Sequence, residues 1–154
     1  MIRGVKYGHT NLIAEDWERL ARFYIDVLGC VTVPPERHYK GENLERGTGV
    51  AGAEVRGAHL LLPGRGPDGP TLEIFTYTTL ADRPATASNR PGFGHIAFLV
   101  DDVRAAREEV LAAGGRAVGE VVTLTAPDGA RVTWTYVTDP EGNIIELQTW
   151  DRGG

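Results

Sequence analysis

The sequence predicts an α+β fold built from two copies of one βαβββ unit, and three observations predict it. With an offset of 86 and no gap, YGHTNLIAEDWERLARFYIDVLGC lies over FGHIAFLVDDVRAAREEVLAAGGR, pairing Gly8 with Gly94, His9 with His95, Asp16 with Asp102 and Gly29 with Gly115. With an offset of 73, GPTLEIFTY lies over GNIIELQTW, pairing Glu73 with Glu146 and Tyr77 with Trp150. Finally, the apolar period switches within each copy from two to about 3.6 residues and back, as a strand, a helix and more strands require. The copies span residues 4 to 80 and 92 to 150, and the Pro-, Ser- and Ala-bearing stretch 81 to 91 reads as the linker between them. The whole chain, 1 to 154, is thus expected to form one domain of two modules.

Taken in order, Val5 to Ile13 is the first strand. Trp17, Leu20, Ala21, Tyr24, Val27 and Leu28 then fall at helical spacing, behind the acidic starter Glu15-Asp16 and ahead of Gly29. CVTVPP, GVAGAEVRG, AHLLLP and TLEIFTYT follow as short runs rich in β-branched and apolar residues, separated by Pro, Gly and charge. In the second copy the helix carries Val103, Ala106, Val110 and Ala113 and closes at Gly114-Gly115. AVGEVVTLT, ARVTWTYVTD and NIIELQTW are its later strands. One helix covers only one face of a sheet, so the opposite concave face is where a small ligand would sit.

Composition narrows the partners. Apolar residues make up 42% and charged residues 24%, the proportions of a soluble globular protein. A net charge of −5, without a cluster of Lys or Arg, argues against nucleic acid as partner. No apolar run approaches the ~20 residues that span a bilayer, which argues against a membrane role. The single Cys30 cannot close an internal disulfide, and MIRGVKYGHT lacks the apolar stretch of a secretory signal, so a cytoplasmic protein is expected.

Strand alternation leads from fold to chemistry. His9 shares a face with Tyr7, Asn11 and Ile13, while Thr10 and Leu12 point the other way. Glu73 shares a face with Phe75 and Tyr77, opposite Leu72 and Ile74, and Glu146 is set against Ile145 and Leu147 in the same manner. A carboxylate in the middle of an apolar strand is costly unless it is paired or bound to a cation. Here it occurs twice, at equivalent positions, each time with a histidine opening the same unit. Neutral imidazoles and ionised carboxylates together suit a divalent transition metal.

At these residues the sequence resembles the vicinal oxygen chelate superfamily, which includes glyoxalase I, methylmalonyl-CoA epimerase, extradiol dioxygenases and the fosfomycin and bleomycin resistance proteins. The motifs are the four residues His9, Glu73, His95 and Glu146 together with GHIAFLVDDV, AAGG and DPEGNIIEL. The resemblance implies an open, eight-stranded, barrel-like mixed sheet with helices outside. It also implies one divalent ion (Ni, Co, Zn, Mn or Fe) on those four residues and a small-molecule substrate that offers two adjacent oxygens. A homodimer is implied as well, since members build the cleft within one chain or across two.

Glu73 discriminates between branches of the superfamily. Dioxygenases and fosfomycin-modifying enzymes typically use two His and one Glu, corresponding to His9, His95 and Glu146, whereas methylmalonyl-CoA epimerases usually carry Gln at the Glu73 place. Bleomycin-binding members generally lack the metal set. The full quartet therefore favours a glyoxalase-like lyase, isomerase or epimerase, with Glu146, or else Glu73, as the catalytic base. The alternatives are a metal-dependent dioxygenase and a non-catalytic small-molecule binding or antibiotic resistance protein.

Other residues receive plainer readings. His38 and His59 have no repeat partner and read as ordinary structural or surface histidines, His38 within the charged, solvated loop PERHYKGENLERG. GRGPDG has the glycine spacing of a dinucleotide loop but leads into a strand instead of a helix, so it reads as a turn. Cys30 reads as a packed thiol and Trp17 and Trp134 as packing residues, while Trp150 is a candidate cleft-lining residue.

Overall fold

The computed structural model describes residues 1–152, which contain nine strands and three helices. The chain divides into two compact units, Met1–Asp82 and Arg83–Gly154. In the first, β1 (His9–Ile13), β2 (Val31–Lys40), β3 (Glu54–Leu61) and β4 (Thr71–Tyr77) form a sheet of order β1-β4-β3-β2. Helix α1 (Trp17–Asp26) follows β1, and a short α2 (Glu42–Thr48) joins β2 to β3. In the second unit β5 (Ile96–Leu99), β6 (Arg116–Ala117), β8 (Arg131–Thr138) and β9 (Ile144–Asp151) run in the order β5-β9-β8-β6. There β7 (Val122–Thr125) pairs with β8, and α3 (Val103–Ala112) follows β5. Among the described residues no helix is long and apolar enough to cross a membrane.

The repeat holds element by element. The helices of the two units start and end 86 residues apart, at Trp17–Asp26 and Val103–Ala112. Each is opened by the aspartate just before it: Asp16 accepts from the backbone N–H of Arg19, and Asp102 from those of Arg104 and Ala105, satisfying donors that a helix start leaves free. Helix α1 buries Leu20, Ala21, Phe23 and Tyr24 against β3 and β4, while α3 buries Val103 and Val110 against β8 and β9. The facing strand residues, Leu60, Leu72 and Ile74 in one unit and Val137, Ile145 and Leu147 in the other, are fully buried. Each such side chain stabilises its unit by roughly 1.5–3 kcal/mol of apolar burial.

Parallel pairing of the first strand with the last completes each sheet. Asn11 lies opposite Glu73 on β1 and β4, and Ala97 opposite Glu146 on β5 and β9. DPEGN sets the start of β9. The fully buried Asp139 accepts from the backbone N–H of Glu141 and Asn143 and from the Asn143 amide, and Gly142 takes the left-handed φ of +87° that the turn needs.

Several boundaries differ from the sequence expectation. The first strand begins at His9, not Val5. The charged stretch expected to be a loop is the second half of β2 followed by α2; His38, Tyr39 and Lys40 pair with Arg56, Val55 and Glu54 at a sheet edge, where polar side chains stay in water. GVAGAEVRG and AHLLLP contribute to one strand, β3, because Gly57 is not a break. A Cβ at Gly57 would stand 2.0 Å from the Ile74 carbonyl oxygen, so the close approach of β4 requires glycine. AVGEVVTLT yields two short strands, with Val118 and Gly119 both donating to the Tyr136 carbonyl between them. Among the described residues the strands therefore number nine, in sheets of four and five, where eight were expected.

Candidate metal centre

Each unit brings its predicted histidine and glutamate into contact. His9, at the head of β1, places Nε2 3.1 Å from Oε2 of Glu73 on the neighbouring β4. His95, one residue before β5, places Nε2 2.8 Å from Oε2 of Glu146 on β9. The parallel register is the cause: it pairs Asn11 with Glu73 and Ala97 with Glu146, so each histidine stands two residues before the residue paired with its glutamate. Both carboxylates are largely covered, with side-chain exposures of 13% for Glu73 and 16% for Glu146, whereas His9 and His95 reach further into solvent. The expected face alternation holds, since Leu72, Ile74, Ile145 and Leu147 are buried on the side away from the glutamates.

Sequence reasoning missed a third member of the first unit. His59 on β3 lies directly across from Glu73, and its Nε2 is 2.8 Å from Oε1, the oxygen that His9 does not use. Asn11 adds a hydrogen bond from Nδ2 to Oε2 at 3.3 Å. His59 is a structural histidine as its sequence reading has it, and its partner is the candidate ligand Glu73. Burial holds its imidazole below the ordinary histidine range, and the charges of Arg37 and His9 act the same way against an opposing pull from Glu73. The rings of His9 and His59 meet edge to face, with centroids 6.2 Å apart, and the ring of Phe75 meets that of His59 edge to face at 5.9 Å.

The same place in the second unit holds Tyr136, paired across the sheet with Glu146. Burial, assisted by the nearby Glu146 charge, pushes the Tyr136 phenol above its ordinary value. Tyr136 packs against His95 at 5.0 Å and against Trp134 at 4.8 Å. Among the described residues Glu146 has His95 as its one polar side-chain contact.

The donor chemistry fits a divalent transition ion, because each unit offers one imidazole nitrogen and one carboxylate oxygen already close together. Among the described residues no group of three or more His, Cys, Asp or Glu side chains is arranged to hold an ion. In the first unit His9 and His59 approach opposite oxygens of a single carboxylate.

The remaining candidates take the plainer roles. His38 hydrogen-bonds Glu54 at 2.6 Å on the exposed edge, and this contact holds the Glu54 carboxyl below its usual range. Cys30 is buried and unpaired, with its thiol pushed up to about 11 by burial. GRGPDG is a turn between β3 and β4. Trp150 is partly exposed beside Arg131, Thr133, Thr149 and Asp151 in a surface groove that contains none of the four candidate ligands.

A family model described as Glyoxalase/Bleomycin resistance protein/Dioxygenase superfamily matches residues 6–147. The chain belongs to this superfamily. A lactoylglutathione lyase of Haemophilus influenzae is 30% identical over 143 residues, covering 90% of this chain and 88% of the relative. A probable lactoylglutathione lyase of Vibrio parahaemolyticus is 28% identical over 139 residues, covering 90% and 86%. Among solved structures, a glyoxalase family protein from Bacillus cereus shares the fold with a TM-score of 0.71 at 21% identity, covering 97% of this chain and 95% of that one.

Proposed function

We propose that this protein is a metal-dependent lyase or isomerase of the glyoxalase type. One divalent ion (Ni, Co, Zn, Mn or Fe) would take His9 and Glu73 from a first unit and His95 and Glu146 from a second, of the same chain or of a partner in a homodimer. The observation that carries this reading is the duplicated pair, an imidazole nitrogen within about 3 Å of a half-buried carboxylate at equivalent places in both units. The similarity to proteins named lactoylglutathione lyase supports a substrate of the thiol–2-oxoaldehyde adduct class. When bound, the ion supplies Lewis-acid polarisation of two adjacent substrate oxygens, which acidifies the neighbouring C–H.

The chain's own groups do the rest. Glu146, whose one polar side-chain contact among the described residues is His95, takes the proton from the carbon that bears the hydroxyl and the sulfur and returns it to the adjacent carbonyl carbon while a proton passes from the first oxygen to the second, so that the hemithioacetal becomes a 2-hydroxyacyl thioester without net oxidation. Arg37 has a buried Nη1 without a hydrogen-bond partner and stands near enough to His59 for its charge to be felt there, so it suits an anionic group of the substrate.

The test begins with the metal content of the purified protein and continues with turnover of thiol adducts of 2-oxoaldehydes. Glu146→Gln is expected to lower turnover by about 10²–10⁴-fold, the usual worth of a positioned general base. Full turnover in that variant rules out Glu146 as the base. Oxygen uptake with catechols would make the protein a dioxygenase instead, and metal uptake with no turnover of any adduct would make it a binding protein.

A further inference from the structure

The first unit holds its glutamate differently from the second. Both oxygens of Glu73 are engaged: Oε2 by His9 at 3.1 Å and Asn11 at 3.3 Å, and Oε1 by His59 at 2.8 Å. His59 is itself well placed to hold this geometry. It sits in register with Glu73 on the adjacent strand, its side chain is only 20% exposed, and its ring packs edge to face with both Phe75 and His9. Room for the Phe75 ring comes from Gly57, where a Cβ would stand 2.2 Å from a Phe75 ring carbon. In the second unit Tyr136 fills the place of His59 and makes no hydrogen bond with Glu146 among the described residues.

We propose that His59 is a positioning residue for Glu73: it ties down Oε1 and leaves Oε2, the oxygen beside His9, as the single one that Glu73 turns toward a bound ion. This rests on the metal reading given above. A carboxylate with one oxygen held by an outer hydrogen bond binds an ion through the other, and such outer partners set both the orientation and the basicity of a ligand. Glu73 is then a fixed ligand, restrained from binding through both oxygens and from swinging off the ion.

The contact is tested first without metal. In the metal-free protein the ¹⁵N resonance of the His59 Nε2 is expected to move when Glu73 is replaced in Glu73→Ala; an unmoved resonance overturns the tether and leaves the metal reading standing. The role is then tested with Co²⁺ as the probe, read by chelator competition and by the visible spectrum of the bound ion, in His59→Leu and His59→Gln checked for wild-type circular dichroism and melting. His59→Leu is expected to weaken Co²⁺ binding by about 10–100-fold and to alter the spectrum, as loss of an outer-shell partner does. His59→Gln, whose side-chain amide can donate to the same oxygen, is expected to recover most of the affinity and the wild-type spectrum.

Equal losses in both variants, with an altered spectrum in each, would show His59 to be a ligand in its own right and overturn the proposal. Wild-type affinity in His59→Leu overturns it as well. A wild-type protein that takes up no Co²⁺ while the ¹⁵N contact is intact removes the metal reading and this role together, an outcome distinct from loss of the tether alone.

Discussion

The two units match at the opening strand and helix and at the closing strand, and differ in what the third strand of each sheet sets beside the glutamate. There β3 and β8 occupy matching positions, both paired antiparallel to the closing strand. Yet β3 places His59 opposite its glutamate and Gly57 two residues before it, while β8 places Tyr136 and Trp134 at those positions. The first unit thus surrounds its carboxylate with three hydrogen-bonding groups, and the second surrounds its own with one imidazole and aromatic rings. A duplicated scaffold has kept the pair and varied its surroundings, so equivalent residues need not have equivalent parts in the chemistry.

If the pairs are equivalent halves of one ion site, breaking either one has the same consequence. His9→Ala and His95→Ala are each expected to lower metal affinity by more than about 100-fold, beyond the loss that an outer hydrogen bond causes, and to remove turnover with it. Titration of the purified variants with Co²⁺ measures this. A loss confined to one variant would make a single unit the true binding site.

The cores offer a sharper contrast. Leu20→Ala in α1 removes a fully buried side chain and is expected to destabilise the first unit by roughly 2–5 kcal/mol, while Val110→Ala in α3 is expected to lower the second by about 1.5–2.5 kcal/mol. Hydrogen exchange resolves the two, because each unit's amides should lose protection chiefly in its own variant. Uniform loss throughout the chain in both variants would mean that the units unfold as one.

The smallest effect concerns Cys30, whose place in the second unit is taken by the exposed Arg116. Burial raises this thiol from its ordinary value near 9 to about 11, so the folded form keeps its proton where the unfolded form loses it. That contribution to stability is present in full below pH 9 and declines as the pH rises toward 11. Wild-type protein is therefore expected to lose more melting temperature than Cys30→Val between pH 9 and 11, and to react slowly with iodoacetamide at pH 8. Rapid alkylation of the folded chain would contradict a buried, protonated thiol.

These contrasts also explain what could be read from the sequence. The helices, their aspartate caps and the His–Glu pairs were legible because repetition marks the residues that both copies need for the same local reason: a helix start at Asp16 and Asp102, and a closing strand beside the opening one at Glu73 and Glu146. His59 was not legible, because β3 and β8 share almost no residue identities and a one-copy feature gives repetition nothing to find. A cross-strand neighbour depends on register, and the register here turns on Gly57, which looks like a break until the approach of Ile74 is seen. The charged end of β2 was hidden for a related reason. At a sheet edge exposed on both faces, nothing forces the apolar alternation by which strands are recognised.

The pairing of first strand with last imposes an order of events on the growing chain. Asn11 and Glu73 are 62 residues apart, so His9 emerges from a ribosome long before the strand that holds its carboxylate has been synthesised. Until β4 slots between β1 and β3, the imidazole has no acidic neighbour and the sheet has no centre. Contacts of such long span form late and slowly. The His9–Glu73 contact then serves as a signature of a finished module: a copy cut short before β4 lacks the carboxylate that completes it.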